Sequence, residues 1–158
     1  RARYAYEEEL LGTAGAIKNA GKYVTDEQFF VLNGDTFYQM DFGDLSRIQQ
    51  KKNLEMALVL RGVPDISRYG AARLTDGLLT AFNDEVAERP EVHRLMKRAL
   101  LDEIPEGKVS LENECIPRWM QEGRRLGGIV NDGYFIDIGV PEDYFRFQED
   151  VRKGDITW

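Results

Sequence analysis

The chain has one cysteine, Cys115, and one histidine, His93, among 158 residues. No intramolecular disulfide can form, which fits a reducing compartment. A single imidazole leaves no multi-histidine zinc site and makes a Ser-His-Asp triad a poor fit. Long apolar runs are lacking too. The longest, such as Phe29–Leu32 and Met56–Leu60, are strand-sized and far too short to span a bilayer. Positive charge is in deficit, with 21 Lys and Arg against 28 Asp and Glu, and the net charge of −7 argues against broad nucleic-acid binding. Anionic small substrates stay open, because metal ions and backbone amides can hold them.

What is present reads as one α/β domain over residues 1–158, with 42% hydrophobic and 31% charged residues and no repeat or linker. Arg1–Glu7 alternates small or aromatic with charged residues, as a half-exposed strand would. The chain is therefore expected to begin in mid-sheet, with no secretory signal at its start. Gly12-Thr13 breaks the pattern, and Thr13 is the expected N-cap of a helix through Ala16, Ile17 and Ala20. Phe29–Leu32 reads as a buried strand of a parallel sheet ending in Asn33-Gly34-Asp35. A helix from about Asp44 to Lys52 and a strand over Glu55–Val63 follow. This β-α-β-α-β order predicts an open α/β sheet with ligands at the carboxyl ends of its strands.

After Pro64 the pattern changes. Tyr69–Leu74 and Leu78–Phe82 flank Thr75-Asp76-Gly77, a hairpin signal that makes the sheet mixed. Glu91–Ile104 is expected to be a helix, with Leu95, Met96, Ala99, Leu100 and Ile104 on one face. Ser110 caps a further helix through Trp119 that stops near Gly123. Leu126–Val130 and Tyr134–Ile138 read as strands, and Pro141 opens a last helix.

Four segments could carry chemistry. Asn33-Gly34-Asp35 follows a strand, which sets the Asp35 carboxylate at the ligand edge, where a hard cation needs oxygen donors. A plain turn also accounts for all three residues. Asp137 lies in the apolar Phe135–Gly139 run, where an unpaired carboxylate needs a partner, a metal or solvent. Bonds to backbone amides before Gly139 would serve equally. Leu11–Ala16 puts small residues at a helix start, where a ligand could meet exposed amides, or where helix and sheet simply pack closely. Tyr69-Gly70 could be only a strand start.

Taken together and in this order, Leu-Gly-Thr-Ala-Gly-Ala, Val-Leu-Asn-Gly-Asp, Tyr-Gly and Tyr-Phe-Ile-Asp-Ile-Gly-Val-Pro-Glu-Asp-Tyr resemble the sugar-phosphate nucleotidyltransferases. Within them the chain looks most like mannose-1-phosphate and heptose-1-phosphate guanylyltransferases. The resemblance covers nearly the whole chain apart from about Asp84–Ala99. It implies a Rossmann-like open mixed sheet of the nucleotide-diphospho-sugar transferase type. It further implies attack of a sugar 1-phosphate, heptose or mannose, on a nucleoside triphosphate, GTP by preference, in the cytoplasm without a membrane or nucleic-acid partner. Homo-oligomer formation is left open. By this resemblance Asp35 and Asp137 are the catalytic and Mg2+-holding pair, Gly12, Thr13 and Gly34 meet the nucleotide, and Gly70 meets the sugar.

Three departures stand out. The Gly-rich phosphate loop and first strand that the resemblance places before Arg1 are not among these residues, so this chain alone is expected to be inactive. After Phe82 the usual Glu-Lys-Pro is replaced, leaving Asp84 or Glu85 for the sugar and no counterpart for the Lys. The Asn-Gly-Gly sugar strand gives way to residues 90–94, which makes His93 a surface or loop histidine. A catalytically inactive regulatory relative is the alternative. A metal-dependent glycosyltransferase fits less well, because Asp35 is followed by Thr36-Phe37 instead of x-Asp. Arg124-Arg125 reads as a solvated helix-end pair, and Cys115 as a buried helix residue.

Overall fold

The computed structural model describes residues 2–61, 72–82, 91–154 and 156. The elements run α1 (Gly12–Ala20), β1 (Gln28–Leu32), β2 (Thr36–Tyr38), α2 (Phe42–Lys52), β3 (Met56–Leu60), β4 (Ala72–Thr75), β5 (Leu78–Phe82), β6 (Glu91–Lys97) and α3 (Ala99–Glu103). A π-helical turn (Leu111–Cys115) then leads into α4 (Ile116–Gln121), β7 (Leu126–Val130), β8 (Phe135–Asp137) and α5 (Pro141–Lys153). Among the described residues the strands form a six-stranded sheet in the order β1-β6-β3-β7-β5-β4 and a separate β2-β8 ribbon. β3 and β7 are parallel, while β6 runs antiparallel to both β1 and β3. Thus β1, β3 and β7 point the same way, and the expected mixed α/β sheet is found.

Alternation along β3 explains the layers. Met56, Leu58 and Leu60 face one core with Met96, Trp119 and Ile116, beneath α1, α3 and α4. Ala57 and Val59 face the other with Leu45, Leu54 and Tyr38, beneath α2 and the ribbon. A strand covered on both faces needs a continuous apolar run, which Met-Ala-Leu-Val-Leu supplies. Helix ends follow their capping signals. Asp41 accepts from the Gly43 amide at 2.8 Å and starts α2 two residues before the expected Asp44. Ser110 accepts from Asn113, and Pro141 occupies the first turn of α5. Asp76 and Gly77 close the β4–β5 hairpin with φ of 51° and 77°, as a two-residue turn demands. The hairpin lies against β7 so closely that a β-carbon on Gly127 would sit 2.1 Å from the Gly77 carbonyl oxygen. One on Gly128 would sit 2.0 Å from that of Leu58.

Several expectations are overturned. Residues 2–7 form no strand; the carbonyls of Tyr4 and Tyr6 accept from Tyr23 and Asn19, which holds this segment along α1 instead of in the sheet. The Phe29–Leu32 run is not a strand buried on both sides in parallel pairing. Among the described residues β1 pairs only with β6, antiparallel, and Phe30 and Leu32 are exposed. The expected helix over Glu91–Ile104 is instead strand β6 followed by the short α3. Its apolar residues divide between the two faces, with Leu95 in one core and Met96 in the other. Tertiary burial between β1 and β3 outweighs the helical spacing. His93 is accordingly no surface residue: it is 4% exposed in β6 and stacks on Phe42 at 5.7 Å. Cys115 is fully buried as expected, and burial pushes its thiol pKa up.

Candidate active site

Asp35 lies just beyond β1, at the edge where β1, β3 and β7 all end, which is where open α/β sheets hold ligands. The chain then turns into β2, which pairs antiparallel with β8 so that Thr36 faces Asp137. The Ile138 amide donates to the Asp35 carbonyl at 2.8 Å and locks the two segments together. Both carboxylates approach one point, the position a β-carbon on Gly139 would take. Asp137 Oδ1 is 3.0 Å and Asp35 Oδ2 3.8 Å from it. Residues far apart in sequence therefore present their oxygens side by side.

Both aspartates are exposed, so solvent meets the cost of the Asp137 charge that its apolar sequence context seemed to leave unmet. Asp137 Oδ1 accepts from the Gly139 amide at 2.8 Å, and Asp35 Oδ1 from the Thr36 hydroxyl at 3.4 Å. Among the described residues no group of three or more acidic, histidine or cysteine side chains is arranged to hold a metal ion. A pair of exposed carboxylates fits Mg2+, which keeps several waters and takes one or two carboxylates beside substrate phosphates.

Gly34 borders open space, since a β-carbon there would meet nothing within 4 Å. Its smallness is therefore not required by packing among the described residues. Gly12 and Gly15 are different. Gly12 has φ of 71°, and a β-carbon would lie 2.6 Å from the Val109 carbonyl oxygen; at Gly15 it would lie 2.4 Å from that of Gly107. These glycines let α1 press against the 107–109 segment, and Val109 O accepts from the amides of Ala14 at 3.0 Å and Gly15 at 3.3 Å. Close packing thus accounts for much of the small-residue motif.

Thr13 is not the N-cap, because α1 starts at Gly12. Its hydroxyl turns to Glu112, donating to Oε2 at 2.6 Å and accepting from the Leu111 amide at 2.8 Å. Glu112 Oε1 in turn takes Arg94 from β6 at 2.8 Å. Neither Glu112 nor Arg94 stood out in the sequence. The one available signal was a glutamate in the first turn after the Ser110 cap. Tyr69, Gly70, Asp84 and Glu85, the expected sugar side of the site, lie outside the described residues. Arg124 and Arg125 sit at the opposite end of the sheet. Arg124 pairs with Glu55 and Glu103, and the exposed Arg125 donates to the Lys52 carbonyl, so the pair is solvated as expected and also tethered.

A mixed sheet covered on both faces, with two carboxylates at its carboxyl edge, puts those oxygens where open α/β domains bind their ligands. Residues 1–154 match the nucleotidyl transferase family, and the chain belongs to it. It is 34% identical over 151 residues to the D-glycero-alpha-D-manno-heptose 1-phosphate guanylyltransferase of Campylobacter jejuni, covering 92% of this chain and 65% of that protein. It is 28% identical over 159 residues to the mannose-1-phosphate guanylyltransferase of Mycobacterium tuberculosis, covering 96% of this chain and 44% of the other. The crystal structure of HddC from Yersinia pseudotuberculosis, also solved in complex with GMP-PN, superposes with a TM-score of 0.73 at 29% identity. That match covers 92% of this chain and 64% of HddC. The chain therefore spans slightly under two thirds of the Campylobacter protein's length and less than half of the mycobacterial one.

Proposed function

We propose that this chain carries the metal and nucleotide side of a sugar-1-phosphate guanylyltransferase site. The reaction joins the nucleotidyl group of GTP to heptose 1-phosphate or mannose 1-phosphate and releases pyrophosphate. The observation that carries this reading is the convergence of Asp35 and Asp137 beside Gly139 in a nucleotidyl transferase family member. A bound Mg2+ would offset phosphate charge there, with both aspartates as its ligands. The remaining work is positioning, since in-line attack of the sugar phosphate oxygen on the α-phosphorus needs no covalent enzyme group.

Gly12 and Thr13 would meet the nucleotide through their amides. No hydrogen bond among the described residues takes these amides, whereas those of Ala14 and Gly15 are occupied. Gly34 would give the ribose room beside the backbone. Gly70 with Asp84 or Glu85 would take the sugar hydroxyls. The guanine preference draws support from the guanylyltransferase relatives and from GMP-PN in HddC. A cytoplasmic reaction fits its nucleoside triphosphate substrate.

The test is product formation from each of the four common triphosphates with one fixed sugar 1-phosphate, using the protein at the length of its relatives. GTP is expected to lead. A lead for UTP or dTTP would remove the guanylyl assignment, and no product from any triphosphate would remove the transferase reading. The 158 residues alone are expected to leave pyrophosphate release at background, because they contain no Gly-rich loop to hold the β- and γ-phosphates.

A further inference from the structure

The Thr13 hydroxyl is the side-chain group at the start of α1 whose chemistry suits reading a base, yet its proton is already committed. It donates to Glu112 Oε2 at 2.6 Å and accepts from the Leu111 amide at 2.8 Å. Glu112 is 7% exposed and also takes Arg94 at 2.8 Å and Ser110 Oγ at 3.3 Å, so its charge is matched and its oxygens are filled. Arg94, 5% exposed, sits in β6 opposite Val31 of β1 and Leu58 of β3, in a layer otherwise built of apolar side chains. A buried ion pair gives little net stability over apolar packing of the same volume. Its effect here is geometric. It ties three elements, β6, the π-helical turn and α1, at one residue of α1. That residue is the one whose own amide, with that of Gly12, has no partner among the described residues, while Val109 O fixes the next two.

We infer that Thr13, Glu112 and Arg94 are positioning residues for the nucleotide, and that the base is met by main-chain groups at Gly12-Thr13, with no hydrogen bond donated by the Thr13 hydroxyl. This rests on the proposed nucleotide site and deepens it. A hydroxyl with one proton cannot donate to both Glu112 and a ligand. Loss of any member of the network loosens the amides, which weakens every nucleotide alike. Loss of a direct base contact would instead change selectivity.

The experiment measures affinity for Mg2+-GTP and Mg2+-ATP by calorimetry in the protein at the length of its relatives, with Thr13→Val, Thr13→Ser and Glu112→Gln, beside amide hydrogen exchange of each. Thr13→Val and Glu112→Gln are expected to weaken both nucleotides by about tenfold, in line with loss of a hydrogen bond to a charged group. The GTP-to-ATP ratio should hold, Thr13→Ser should restore the affinity, and the double variant should be no weaker than either single one. A shift of that ratio in Thr13→Val but not in Glu112→Gln, or no loss in either, overturns the inference. If the unmodified protein at that length binds neither nucleotide, the proposed nucleotide site fails, and exchange alone decides the positioning role. Faster exchange at Ala14, Gly15 and Leu111 in Glu112→Gln, with Met56–Leu60 unchanged, supports it. Unchanged exchange at those three amides overturns it.

Discussion

Asp35 and Asp137 meet beside Gly139 because β2 and β8, the strands that follow the one and contain the other, pair with each other and not with the main sheet. The pairing of Thr36 with Asp137 and the Ile138-to-Asp35 hydrogen bond set their approach.

Removing either charge should abolish shared cation binding without unfolding the chain, since both side chains are exposed. Asp35→Asn and Asp137→Asn are each expected to lose Mn2+ binding, followed by electron paramagnetic resonance, with the thermal midpoint unchanged. In the protein at the length of its relatives, each should lower turnover by about a hundredfold or more, the scale of losing a group that stabilises transition-state charge. Retained Mn2+ affinity in both variants would exclude the pair as ligands.

Gly139→Ala tests the geometry more finely. Its methyl group would lie 3.0 Å from Asp137 Oδ1 and 3.8 Å from Asp35 Oδ2, so the first carboxylate must shift by a few tenths of an ångström. Mn2+ affinity should fall several-fold while circular dichroism stays the same. Mg2+ sites demand near-ideal octahedral geometry, so small displacements matter.

The Arg94–Glu112 pair predicts a compensating pair of substitutions. Arg94→Met leaves Glu112 buried without its cation and should cost about 3 kcal/mol in urea unfolding. Arg94→Met with Glu112→Leu should recover most of that loss, because apolar packing replaces both charges. A double variant as unstable as the single would show that the remaining hydroxyls, Thr13 and Ser110, depend on the carboxylate.

Tyr134 supplies a pH dependence. Burial, then its hydrogen bond to Asp150 at 2.6 Å, pushes the phenol up from 10.0 to about 12. The folded state thus keeps a proton that the unfolded chain releases. The contact's contribution is full below pH 10 and is lost as pH rises through about 12. Phenolate absorbance should show Tyr134 among the last tyrosines to ionise, and Tyr134→Phe should remove that late step. Tyr38, also raised, chiefly by burial, should remain late in the variant.

Local motifs were legible where the chemistry is local. Asn33-Gly34-Asp35, Asp76-Gly77, Ser110 and Pro141 each state their turn or cap in two or three residues, and each does so in the fold. The β6 strand was not legible. Leu95 and Met96 fit one face of a helix with Ala99 and Leu100 as well as the two faces of a strand, and only burial between β1 and β3 decides. The 2–7 segment failed for the opposite reason: alternation marks a strand only when a neighbour is there to pair. The carboxylate pair could be anticipated only by resemblance, because no spacing rule connects Asp35 with Asp137. The Thr13–Glu112–Arg94 network lay beyond both routes, joining three elements through side chains that each have an ordinary reading alone.

The two glycines of β7 have a consequence for how this sequence can drift. Gly127 is blocked by the Gly77 carbonyl oxygen and Gly128 by that of Leu58, both of them backbone atoms that no rotamer change can move aside. Each neighbour is itself fixed, Gly77 by its left-handed turn and Leu58 by burial on both sides of its strand. In a saturation library scored for folded protein, these adjacent positions should read as two empty columns, with no single-step route by which either could be exchanged.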